Sequence, residues 1–137
     1  MLPPSPGFVR RPLVQDSLTV GFATGCEKLD EDAKAAVEGF ADKYREVLDG
    51  ETFTLTLIGH ASRTGSAGLN YELSDARRLS VQEAIELRLG HGIERHIEGA
   101  ALGEQLAAVE KMPGDDDSAR YRVVEIILVG STTEPVP

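Results

Sequence analysis

The sequence predicts an α/β (α+β) sandwich in the order β-α-β-α-β-β, with a mixed sheet carrying two helices on one face. Three observations predict it. Residues 52–58 and 121–129 alternate apolar with other side chains at a period of two. Residues 29–48 and 74–89 instead repeat apolar side chains at three- and four-residue steps. Strand and helix patterns alternate along the chain, and helices with one apolar stripe pack most simply together on one side of a sheet.

The elements follow in order. Residues 1–16 hold four of the seven prolines and read as an arm outside the core. The domain proper spans 17–130, and 131–137 is a tail. Leu18 to Phe22 alternates as a first strand, broken by Ala23-Thr24-Gly25. Leu29, Ala33, Ala36, Val37, Phe40, Tyr44, Val47 and Leu48 form the stripe of the first helix, with Asp30, Glu31 and Asp32 in its opening turn. Asp49-Gly50 ends it. In the next strand Phe53, Leu55 and Leu57 face one side and three threonines the other. A polar loop from His60 to Tyr71 follows, at the kind of strand end where α/β domains place sites. Ser74 is a candidate cap for the second helix, which runs to about Leu89 and buries Val81, Ala84 and Ile85 with the stem of Arg88. Gly90, His91 and Gly92 end it. Residues 93–99 suit a third strand, and 100–109 fit either a loop or a short helix. Met112 to Ala119 reads as a turn or loose insertion. In the last strand, Tyr121 to Val129, Val124, Ile126 and Leu128 share one face and Val123, Ile127 and Val129 the other. That second face is open to three readings: covered by the arm, covered by a second subunit, or exposed.

Composition narrows the function. The 137 residues suffice for one domain and one core. A formal charge of -9 disfavours a nucleic-acid backbone as partner. No stretch approaches the roughly 18 apolar residues of a membrane-spanning helix. The first residues lack the basic segment followed by an apolar run of a secretory leader, which leaves the cytoplasm open beside the periplasm or envelope. Cys26 is the only cysteine, so no internal disulfide forms. His60, His91 and His96 lack metal-ligand spacing, and no cofactor motif is present. His60, Ser62 and Ser66 share one loop, but there is no Gly-x-Ser-x-Gly elbow and no acid evidently placed to orient His60. The chain therefore does not read as an enzyme.

The segment Leu57 to Val81 contains Gly59-His60-Ala61-Ser62, Gly65-Ser66, Asn70, Leu73-Ser74, Arg77-Arg78 and Val81. It resembles, without gaps, the signature of OmpA-like domains, approximately Gly-His-Thr-Asp, then Gly-Ser, Asn, Leu-Ser, Arg-Ala and Val. The opening strand with Phe22, Leu29, and the closing Arg122-Val123-Val124-Glu125-Ile126 extend the resemblance over about residues 17–130. It implies a non-catalytic module of the kind that binds peptidoglycan without covalent linkage in Gram-negative envelope proteins, flagellar stators and secretion systems. By position, Arg77, in the first turn of the second helix, would hold the carboxylate of the stem peptide's diaminopimelate. The aspartate that would hold its ammonium is replaced by Ser62, and an alanine by Arg78. Asn70 would support the loop and cleft, with Ala61 and Arg63 beside Ser62 in the binding loop.

The residues alone also allow a binding reading. Arg63, Arg77 and Arg78 surround a polar loop of an acidic chain, and a guanidinium near a helix N-terminus suits a carboxylate-bearing peptide. The alternative is that these arginines pair with Glu72, Asp75 and solvent. Two functions follow. One is a peptidoglycan-binding module with an altered pocket. The other is a diverged scaffold or protein-interaction component of an envelope or secretion/injection assembly, contacting a protein partner or second copy through the arm or the Val123, Ile127 and Val129 face.

Overall fold

The computed structural model describes residues 9–10, 13–50, 52–62, 66–110, 119–131 and 134–135. Along the chain lie β1 (Val9–Arg10), β2 (Leu13–Gly21), α1 (Glu31–Lys43), α2 (Arg45–Leu48), β3 (Phe53–Gly59), α3 (Ala67–Leu89), β4 (Ile97–Ala101), α4 (Gln105–Val109), β5 (Val123–Ser131) and β6 (Glu134–Pro135). The main sheet has the order β2-β5-β3-β4: β5 is antiparallel to both its neighbours, and β3 and β4 run parallel. A separate pair joins β1 to β6, so Val9–Arg10 meets Glu134–Pro135. The mixed sheet with two long helices is the architecture the sequence predicts.

The period-two segments form strands because alternate residues meet a dry helix layer. Leu55, Leu57, Val124, Ile126 and Leu128 are fully buried and form one core with Val37, Val81 and Ile85 of the helices. Each such side chain contributes about 1.5–3 kcal/mol on burial. On the other face Val129 is 41% exposed, while Val123 and Ile127 are half-buried.

Several boundaries differ from the sequence expectation. The first strand begins at Leu13, five residues early, because Asp16 faces the helix layer and is satisfied there by the Tyr44 hydroxyl, with Lys43 at 3.7 Å. The first helix breaks at Tyr44, and Asp30 caps it by accepting from the Ala33 N–H at 2.7 Å. A 3-10 turn over His91–His96 buries Ile93 and delays the third strand to Ile97. Arg88 does not lie on the buried face. Its guanidinium reaches across to α1, meeting Asp42 at 2.6 Å and Glu38 at 3.0 Å. The Arg88 bond, reinforced by Arg45, lowers the Asp42 carboxyl from 3.8 to about 2.

Ser74 is not the cap of the second long helix. Ser66 is, accepting from the Leu69 N–H at 3.2 Å, and α3 starts eight residues earlier than a cap at Ser74 implies. Ser74 is fully buried inside the helix. Its backbone packs so closely on β3 that a Cβ at Gly59 would fall on the Ser74 carbonyl oxygen.

Candidate functional site

The strand directions bring three loops to one end of the sheet. β2, β3 and β4 all finish there, so the segments after Gly21, Gly59 and Ala101 emerge side by side. Asn70, Ser74 and Arg77 lie on the α3 face turned towards them, spaced four and three residues apart so that they share one side of the helix.

Arg77 ties down the first two loops. Its Nε donates to the Cys26 carbonyl at 2.8 Å, and its terminal nitrogens donate to the carbonyls of His60 and Ala23, each at 3.2 Å. The guanidinium also lies 5.4 Å from the centre of the Phe22 ring. Only 1% of Arg77 is exposed. It sits in the third turn of α3, not the first, so the expected convergence of Arg77 with free N–H groups at a helix start does not occur.

Ser74 ties down the third loop. Its hydroxyl donates to the Tyr71 carbonyl at 2.8 Å and accepts the Gly103 N–H at 2.9 Å. Gly103 has φ +55°, and its Cα lies so near Tyr71 that a Cβ would come within 3.1 Å of the Tyr71 Cα. The Ala61 N–H donates to the Gly103 carbonyl at 2.8 Å, and the Leu102 N–H donates to that of Gly59 at 2.9 Å. The Asn70 side-chain amide donates to a carboxylate oxygen of Glu104 at 3.4 Å.

Of the expected site residues, Ala61, Ser62, Asn70 and Arg77 gather at this end of the sheet and all four are buried. Arg63 lies outside the described residues. Glu104 was not singled out from sequence; its signal is the Leu102-Gly103-Glu104 turn directly after the third strand. Arg78 faces away from the loops. It pairs with Asp75 at 2.8 Å, and its stem lies over Gly99, where a Cβ would come within 2.5 Å of its guanidinium. The missing side chain on β4 therefore makes room for an arginine where the resemblance has alanine.

His60 does have an acid beside it, contrary to the sequence expectation: Nε2 is 2.9 Å from the Glu125 carboxylate. Its Nδ1 is buried without a hydrogen-bond partner among the described residues, so there neither ring nitrogen bonds a serine hydroxyl. The arrangement lacks the serine–histidine contact of nucleophilic catalysis. The three histidines are dispersed: His91 lies 3.7 Å from Glu86 and His96 stacks on Phe53.

No family model matches the chain, and neither does any curated protein. Solved structures do. The peptidoglycan-associated lipoprotein from Burkholderia pseudomallei is 20% identical, with TM-score 0.63, over 80% of this chain and 88% of that one. The OmpA-like domain of FopA1 from Francisella tularensis is 19% identical, with TM-score 0.66, over 91% and 82%. The cell wall anchor of the T6SS from Pseudomonas aeruginosa is 20% identical, with TM-score 0.61, over 89% and 88%. The architecture is the OmpA-like fold.

Proposed function

We propose that this chain is a non-catalytic envelope module that binds the stem peptide of diaminopimelate-type peptidoglycan through an altered pocket at the carboxyl end of the sheet. The observation that carries this reading is the gathering of Ala61, Ser62, Asn70 and Arg77 where three strand ends meet. Solved structures of the same fold include a peptidoglycan-associated lipoprotein and a cell wall anchor, which supports the same ligand class. In this pocket Arg77 acts chiefly from beneath, fixing the loops that carry Ala61 and Ser62, because its donors already serve three carbonyls.

The same burial of Arg77 favours a second reading, a diverged scaffold whose contacts are with protein. Co-sedimentation of the full chain with purified diaminopimelate-type peptidoglycan separates the two. The wall reading expects the protein in the pellet, released by free stem peptide and weakened in Asn70→Ala. Protein that stays in the supernatant, with Ser62→Asp doing the same, leaves the scaffold reading.

A further inference from the structure

We infer that Asp16 guards the free edge of the sheet, keeping β2 from pairing edge to edge with the β2 of a second copy of this chain. β2 is the outermost strand on its side, with β5 as its one neighbour among the described residues. The Phe22 N–H donates to the Arg122 carbonyl at 2.8 Å, and this pair continues the β2–β5 register. Backbone groups alternate across an antiparallel ladder. The even-numbered residues of β2 therefore bond β5, while Leu13, Gln15, Ser17, Thr19 and Gly21 aim their N–H and C=O groups outward. Gln15, Ser17, Thr19 and Gly21 are all exposed. Such an edge is a template for another strand.

The strand's own symmetry selects the partner. Ser17 is the midpoint of Leu13–Gly21. Antiparallel pairing of two copies about that residue would set Ser17 against Ser17, Gln15 against Thr19 and Leu13 against Gly21, and so use every outward group of the strand. Its central hydrogen bonds would need the Ser17 N–H. Asp16 already holds that group, one carboxylate oxygen accepting it at 2.8 Å. The other oxygen accepts the Tyr44 hydroxyl, with the Lys43 ammonium at 3.7 Å, so α1 fixes the acid in place. The Tyr44 and Ser17 bonds hold its carboxyl below the ordinary carboxylate value, which keeps it charged at neutral pH. In the symmetric pair the two Asp16 carboxylates would lie diagonally across the central rung, where like charges oppose pairing. Asp16 thus closes the edge twice, by occupying its central donor and by its charge.

Sedimentation equilibrium of the full chain over a concentration series, with amide hydrogen exchange on the same samples, tests the inference. Asp16→Ala removes both obstacles and is expected to self-associate at least about tenfold more tightly than wild type, the scale of a hydrogen bond to a charged group. The amides of Gln15, Ser17 and Thr19 should exchange more slowly as the dimer forms. Asp16→Asn keeps the acceptor and removes the charge, and its self-association should lie between the two. Adding Thr19→Pro to D16A deletes an outward N–H that no internal bond uses and should restore the monomer. Circular dichroism establishes that each variant is folded. If D16A is not, Asp16→Asn and Tyr44→Phe, which frees the acid from α1, carry the same expectation in milder form. Folded variants that sediment as wild type does overturn the inference. So does association that Thr19→Pro leaves intact, or wild type that already dimerises with these β2 amides protected.

Discussion

A guanidinium buried beneath two loops costs a great deal to desolvate, and Arg77 is kept there by acceptors that no other side chain could serve together. Its planar fork reaches carbonyls at Ala23, Cys26 and His60, which a lysine's single ammonium cannot span. Arg77→Ala would strand those carbonyls and is expected to cost more than about 3 kcal/mol in urea unfolding, with Arg77→Lys recovering less than half of it. A loss under about 1 kcal/mol would mean that the clamp is not structural. The sequence marks Arg77 through a spaced motif, but not its place in the third turn of α3. Nor were its partners legible, because they are backbone carbonyls in loops more than fifty residues away for Cys26 and Ala23. Ser74 was misread for a related reason. Serine suits both a helix cap and a buried bridge, and only the approach of Gly103 decides between them.

Among the elements, strands with one dry face were the most legible. Phe53, Leu55 and Leu57, and Val124, Ile126 and Leu128, are buried as their alternation requires. Edges and starts were less so. β2 is an edge strand whose polar opening at Gln15, Asp16 and Ser17 hides its pairing with β5, and the first turn of α3 exposes Leu69, so no apolar stripe marks it. The contact between α1 and α3 carries its own pH signature. Asp42 titrates at about 2 in the folded protein against an ordinary 3.8, chiefly through the Arg88 bond. Its folded pKa is depressed, so the stabilisation is present above about pH 4 and lost as pH falls through about 2. Wild type should therefore lose more stability than Arg88→Ala between pH 4 and 2 in urea titrations, and high salt should narrow the difference because the pair is exposed. Parallel pH profiles for the two proteins would refute this coupling.

For the whole molecule, the order of strands matters more than any motif, since it alone delivers three chain segments to one end of the sheet. That convergence was only half visible beforehand. The sequence marks the loop after β3 as the site, whereas the contribution of the turn after β4 depends on the parallel pairing of β3 with β4. The opposite face of the sheet, with Val129 exposed, is where a protein partner of the scaffold reading would sit. Backbone amide shifts of the full chain, recorded during titration with a soluble diaminopimelate-containing stem peptide, distinguish the two surfaces directly. Wall binding predicts saturable shifts at Ala61, Ser62, Asn70 and Glu104, with Val123, Ile127 and Val129 unmoved. A spectrum that stays still throughout the titration, or that moves only at those valines and Ile127, would contradict it.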